Sequence, residues 1–259
     1  MKMKENKKLI SGLGMALLLG ATAAFSFGDS DAVPTPTGSA NGIWHLEATG
    51  VRIIGGYGNN FAYDGENVRP LEGRAEVQLD TRNGTGTITI EVETTRESGP
   101  IRFSSDQSWS GRIRLVQQLN TKEMAGARIA EEVFLHGDTG NEAPVMPNVF
   151  NYFATWGPSR IWVNGTEVVP MIGSHTMFSE QARGLNGRIE NAAGEVYSPM
   201  AQNKGGFTDR DATEFHYVAH TTQPDQGNFP PHTGWIHLQF SEVTVVHKPE
   251  GVSIPYTQD

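Results

Sequence analysis

The chain has 259 residues, 37% of them hydrophobic, with no cysteine and a formal net charge of −9. The length allows a sizeable apolar core, while the missing thiols exclude disulfides, an N-terminal lipidated cysteine, blue copper, iron–sulfur clusters and thiolate nucleophiles. The acidic balance argues against nucleic acid, because no basic cluster after residue 26 could overcome repulsion from a phosphate backbone.

Residues 1–26 carry the three parts of a secretory signal: the basic start Lys2, Lys4, Lys7 and Lys8, an apolar run from Leu9 to Gly20, and the small residues Ala21 and Ala23 in an A-x-A pattern. Ser11, Gly12 and Gly14 interrupt the apolar run, which is shorter than the ~20 residues a spanning helix needs. The expectation is a cleaved signal and a secreted or periplasmic protein with no transmembrane segment in the mature chain. Cleavage would remove four of the 20 Lys and Arg and one of the 29 Asp and Glu, leaving 16 against 28 and a net charge of −12. Residues 27–42, rich in Ser, Thr, Pro and Ala, read as a flexible leader. A single domain is expected over 43–250, with a tail at 251–259.

Within that domain, alternation of period two recurs and sustained helical periodicity is scarce. Ala75, Val77 and Leu79 alternate with polar residues, Asn83-Gly84 offers a type I′ turn, and Ile88, Ile90 and Val92 alternate on the return, which predicts a β-hairpin. Residues 121–132, with Met124, Ala127 and Ile129, fit a short helix. Phe150, Tyr152, Phe153 and Trp156 read as core leading to a turn at Gly157-Pro158. Ile161 to Val163, Asn164-Gly165 and Thr166 to Val169 make a second hairpin, which Pro170 is expected to end. Further strands are expected at 42–48, 112–117, 131–136, 214–220 and 235–246. From Gly173 to Arg210 the pattern is irregular, and a stretch of that length usually covers a site or is disordered. The fold class is therefore all-β, a β-sandwich or open β-barrel with a long irregular insertion.

Four of the eight histidines, His216, His220, His232 and His237, fall within 22 residues. Glu214, His216, Val218 and His220 share one face of a strand, while Trp235, His237 and Gln239 share one face of the next. If these strands are antiparallel neighbours with His220 opposite Trp235, then His216 faces Gln239, Val218 faces His237, and His216 and His237 are diagonal neighbours. Imidazoles on one sheet face can converge on an ion. The candidate metal ligands are His216, His220 and His237, with His232 or His136 nearby and Glu214 or Asp225 as a possible further ligand. His136 is followed by Asp138 and Glu142, and His175 stands beside Met177. Nitrogen and oxygen donors suit zinc, copper or iron as a divalent ion, which could polarise a small-molecule oxygen or activate water. The H-x-x-x-H spacing of His216 and His220 has no glutamate inside it and matches no helical zinc motif.

Other readings compete with the metal. Histidines also serve as half-buried polar residues beside aromatics, and Phe215, Tyr217, Phe229 and Trp235 provide such surroundings. Residues 221–234, stiffened by Pro224, Pro230 and Pro231, carry Asp225 and Asn228, which together with Trp235 could bind a small-molecule or glycan ligand on a non-catalytic cell-envelope protein. Trp44, Trp109, Trp156 and Trp162 are further sugar-stacking candidates, although core packing is the commoner use of such side chains. A barrel could also carry an apolar ligand inside. No G-x-S-x-G occurs, and Glu131-Glu132 would point to opposite strand faces, so neither a serine triad nor that carboxylate pair is indicated.

Overall fold

The computed structural model describes residues 42–58, 63–184, 186–198, 200–226 and 230–254. Residues 1–41, which include the expected signal and most of the expected leader, Asn228 and residues 255–259 lie outside the described residues. Among the described residues twelve strands follow in chain order: β1 (Ile43–Gly56), β2 (Arg69–Pro70), β3 (Glu72–Asp80), β4 (Thr85–Glu93), β5 (Ile101–Arg102), β6 (Ser108–Trp109), β7 (Arg112–Asn120), β8 (Arg128–Leu135), β9 (Val149–Val163), β10 (Thr166–Gln181), β11 (Asp209–His220) and β12 (Trp235–His247). No helix among the described residues is long and apolar enough to cross a membrane.

The fold is all-β, and its principal sheet is closed. Strands β1, β3, β4, β7, β9, β10, β11 and β12 pair antiparallel in that order, and β12 returns to β1. Of the sandwich and open barrel that the pattern allowed, the structure takes a barrel, without the open edge. Strand β9 makes closure possible because it is long: residues 159–163 pair with β7, residues 149–156 carry β8 on the same edge, and β10 lines the other edge.

Alternation fills the interior. Val77, Ile88, Leu115, Phe215 and Leu238 point inward from successive walls and are all buried, and Trp44 meets Phe153 and Phe178 edge-on at 5.3 and 6.0 Å. A polar seam runs through this core. The Gln117 amide donates to Ser174 Oγ at 2.9 Å, Thr155 Oγ1 donates to Gln117 Oε1 at 2.7 Å, and Ser159 and Ser174 share a hydrogen bond at 2.6 Å. These pairings satisfy groups that would otherwise be costly to bury.

Several local expectations are corrected. The 80–85 hairpin turns through four residues, and of the Asn-Gly pair only Gly84 has positive φ (68°); Asn83 is instead anchored to the Asp80 carboxylate by its backbone N–H at 3.2 Å and its amide at 2.7 Å. The second Asn-Gly does form a two-residue turn, with φ of 50° and 83° at Asn164 and Gly165, the signs a type I′ turn requires. Pro170 does not end its strand. The β9–β10 ladder shifts register between Val169 and Ile172, so the missing N–H falls at a bulge and the strand continues to Gln181.

The segment 121–132 is a turn followed by β8 rather than a helix, because Gly126 adopts φ 80° and the apolar residues after it pair with β9. Gly157-Pro158 is no turn either. It lies inside β9, opposite Ser174 and Gly173, where a Cβ on residue 157 would come within 2.7 Å of Leu119. The irregular stretch shrinks to 182–208, since Gly173–Gln181 belongs to β10 and Asp209 opens β11. Both faces of that part of β10 are buried, which erases the alternation a one-sided strand would show.

Candidate functional site

On β11, Phe215, Tyr217 and Ala219 enter the barrel, which turns Glu214, His216, Val218 and His220 outward. The register with β12 pairs His220 with Trp235, Val218 with His237 and His216 with Gln239, as the strand parity predicted. The register with β10 adds what was not foreseen: His175 pairs with Val218 from the other side, and Gly173 with His220. Four imidazoles therefore surround Val218 on the outer wall. His216 and His220 lie two residues before and after it, while His175 and His237 flank it across strands about 4.8 Å away on each side.

This outer wall is covered. Tyr63, Met146, Val149, Ala182, Ile189 and Tyr197 form a second apolar cluster outside the barrel, and the loop after β8 brings His136 and Glu142 over the sheet. The relative exposure of His136, His175, His216 and His237 is only 5–8%, while His220 and His232 are half-buried and stack on each other with centroids 3.9 Å apart. Burial disfavours the imidazolium form. It pushes His136 and His232 down to about 4 and lowers His175, His220 and His237 as well, with Glu142 acting in the opposite sense on His136, His175 and His220.

Two carboxylates divide these histidines between them. Glu142 is exposed as a residue, yet its Oε1 accepts the Trp156 indole N–H at 3.3 Å. Desolvation would raise its pKa, but His175 and His136, then the Trp156 N–H and His220, outweigh that and hold the carboxyl below its usual range. Glu214 is 1% exposed and has its own set. Its Oε1 accepts His216 Nε2–H at 2.7 Å and the Ala182 N–H at 2.8 Å, and its Oε2 accepts the Gln239 amide. Burial alone would raise Glu214 too; the His216 charge and these donors lower it instead. Arg183, fully buried beside Glu214, is brought down to about 10 by desolvation.

The hydrogen bonds also fix which ring nitrogens carry lone pairs. A backbone carbonyl can only accept, so His175 donates Nδ1–H to Thr155 O at 2.9 Å and His220 donates Nδ1–H to Thr221 O at 3.1 Å. In each neutral ring Nε2 is then the acceptor. His175 Nε2 and His136 Nδ1 are buried and accept no hydrogen bond. His216 Nδ1 and His237 Nε2 lie 2.9 Å apart and share a hydrogen bond. The backbone above is strained: His136 has φ 66° and ψ −178°, and Glu142 has φ 61°. The former falls in a region that only glycine normally occupies, and such residues cost about 1–3 kcal/mol.

Of the residues singled out in the sequence, His136, His216, His220, His232 and His237 come together on this wall. Sequence reasoning left His175 and Glu142 at the margin and did not weigh Arg183. Asp225 accepts the Tyr57 hydroxyl at 2.9 Å, and Asn228 lies outside the described residues. Trp235 is 1% exposed, so no sugar ring can stack on its face in this state; Trp44, Trp109 and Trp156 are buried too, and Trp162 lies between the Arg114 and Arg160 guanidinium groups at 5.4 and 5.0 Å. Gly55, the β1 partner of His237, leaves room for Trp235: a Cβ there would stand 2.3 Å from the indole ring.

Among the described residues no group of three or more His, Asp or Glu side chains is placed to hold a metal ion. Coordination would require ring rotations. No protein-family model, curated protein or solved structure matches this chain, so the role of the wall has to be argued from its own residues.

Proposed function

We propose that this is an exported β-barrel protein that binds a divalent transition ion on its outer wall, with His136, His175 and His220 as nitrogen donors and Glu142 as the oxygen donor. One observation carries the reading: His175 Nε2 is a buried lone-pair nitrogen and His136 Nδ1 a buried ring nitrogen, neither of them hydrogen-bonded, and both rings lie within the electrostatic reach of the Glu142 carboxylate. Unsatisfied buried acceptors are costly, and a cation would satisfy both at once.

The surrounding shell supports it. Metal-bound imidazoles characteristically donate their second N–H to a carbonyl or carboxylate, which orients the ring and raises its basicity; His175 and His220 do this through Thr155 O and Thr221 O. Neutral rings are the ligating form, and burial keeps them neutral. Backbone strain at His136 and Glu142, the two residues that reach over the sheet, fits a loop held in place for binding rather than for packing. Three nitrogens and one oxygen suit zinc, copper or ferrous iron. Export rests on the basic, apolar and small-residue order of residues 1–26, and N-terminal sequencing of the mature protein should begin shortly after Ala23 or Ser26.

The deciding measurement is zinc titration of metal-stripped protein with calorimetry and elemental analysis. Wild type should take up one ion per chain, and His175→Ala and Glu142→Gln should each weaken binding at least tenfold. A wild type that binds no zinc, copper or ferrous iron, or variants that bind as tightly as wild type, would overturn the assignment.

A further inference from the structure

We infer that the cleft at the barrel rim where β3, β4 and β7 meet their turns binds a neutral oligosaccharide, held by the hydroxyl groups along both edges of the sugar chain. The inference is independent of the metal reading and uses none of its residues.

Strand pairing arranges the lining in rows. Gln78, Thr87 and Gln118 are cross-strand partners and all three are exposed. Two residues nearer the rim, Asp80, Thr85 and Asn120 pair in the same way and are half-buried. Between the rows run Leu79, Gly86 and Leu119, and both leucines are buried in the core. Alternate residues on a strand stand about 7 Å apart and neighbouring strands about 4.8 Å, so two parallel polar banks cross three strands. The cleft they border has a volume of about 590 Å³. That lies within the ~300–1,000 Å³ usual for small-molecule sites, and barrel mouths are a common place for them. No side chain is tolerated at its centre, since a Cβ on Gly86 would come within 2.4 Å of Leu79 Cδ2 and 2.7 Å of Gln78 O.

The lining selects the ligand. Farther along the same strands the outer face carries ion pairs, with Glu91 between Arg74 and Arg114, and Arg112 beside Glu93. That pattern stops at the cleft. Among the described residues no lysine or arginine lines it; Arg82 lies 3.6 Å from Asp80 in the turn, outside the lining. The two lining carboxylates, Asp80 and Glu123, accept the Asn83 and Asn120 amides at 2.7 and 2.9 Å. An anionic ligand would therefore meet carboxylates and no counter-charge. A wholly apolar ligand would cut the amides and hydroxyls of both banks off from water.

A neutral molecule with hydroxyl groups on two sides and C–H surface between them satisfies both conditions, and a pyranose chain has that form. Gln118 presents an amide donor and acceptor, Gln78 does so while giving one N–H to Glu76 at 2.6 Å, and Thr85 and Thr87 can donate or accept. Ile43, 44% exposed on the β1 side, and Met124 beyond β7 supply aliphatic surface. No aromatic ring is among the described lining groups, so the affinity expected is millimolar rather than tight.

The test is nitrogen-15 NMR titration of the metal-free protein with cellotetraose, xylotetraose, maltotetraose and chitotetraose, with tetragalacturonate as the anionic comparison. At least one neutral tetrasaccharide should shift the amide signals of residues 78–87 and 118–124 with a Kd on the order of 1 mM, and tetragalacturonate should not. Replacing both exposed glutamines, Gln78→Ala with Gln118→Ala, should weaken that sugar about tenfold. Thr87→Trp should fill the cleft and abolish binding, while Thr89→Ala, on β4 but outside the cleft, should leave it unchanged. No binding by any of the neutral sugars, shifts confined to other surfaces, tetragalacturonate bound as tightly, or affinity unchanged in the double variant and in Thr87→Trp overturns the inference. Zinc uptake has no bearing on these outcomes, so this proposal and the metal site can each fail alone.

Discussion

The barrel has two kinds of wall. Across β3 and β4 each strand alternates cleanly: Val77, Ile88 and Ile90 face the core, while Glu76, Gln78 and Thr87 face solvent. Across β11 and β12 the inner face is just as apolar, and on β10 it also carries Ser174 and Thr176 of the interior polar seam, but the outer face of all three is buried as well and carries His175, His216, His237, Glu214 and Gln239. A polar side chain on the first wall keeps its water, whereas one on the second has lost water and must find a protein partner or a ligand. Histidines and carboxylates concentrated on the second wall are therefore informative in a way that equally polar residues on the first are not.

Truncating the core beneath each wall should give the largest effects. Phe215→Ala should cost about 3–5 kcal/mol in urea unfolding and Ile90→Ala about 2–5 kcal/mol, but only Phe215→Ala should also weaken zinc binding, because its strand carries the imidazoles. Equal zinc affinity in the two variants would mean that the second wall does not position its histidines.

Acid comes next. His136 titrates near 6.5 when unfolded and near 4 when folded. The unfolded chain therefore binds the extra proton first, and stability present above 6.5 drains away as pH falls towards 4. The loss from this ring alone is on the order of 3 kcal/mol, and His232, His175, His220 and His237 shift in the same direction. Metal-free protein should show a steep decline in urea midpoint across that window; a flat profile would mean that the imidazoles are solvated in the folded state.

Two glutamines sharpen the contrast at smaller scale. Gln239→Ala removes a donor from buried Glu214 and should cost about 1–3 kcal/mol, while Gln78→Ala, on the exposed face of β3, should stay within about 0.5 kcal/mol. The smallest gain is expected at Glu131, a buried carboxyl that accepts the Trp44 indole N–H at 2.8 Å and whose pKa is raised by desolvation. A raised carboxyl pKa means that ionisation opposes folding, so Glu131→Gln should lift Tm by a few degrees at pH 7, with the gain shrinking as acid protonates the wild-type side chain.

The same contrast explains what could be read in advance. Strand pairing between β11 and β12 was legible because Phe215, Tyr217, Ile236 and Leu238 alternate with polar residues, and parity then places His216 diagonal to His237. Strand β10 was hidden: Ser174, Thr176 and Phe178 face the core while His175, Met177 and Ser179 face the cover, so no period-two signal survives double burial. Glu142 and His136 were visible as chemistry but not as neighbours of His175, since only closure of the barrel and folding of the loop after β8 bring them together. The hairpin at 164–165 was legible because its two turn residues determine their own geometry, whereas the strand continuing past Pro170 depends on a bulge set by its partner.

Gly55 shows how far outside the cluster its control extends. It has no side chain to contribute, yet the indole of Trp235 occupies the space a methyl group would fill, and that indole lies 6.0 Å from the His237 ring. A hydrogen atom in place of a methyl on β1 thus leaves room for an aromatic plate to rest, tilted, beside an imidazole. Packing on this wall is set partly by an empty position on its neighbour.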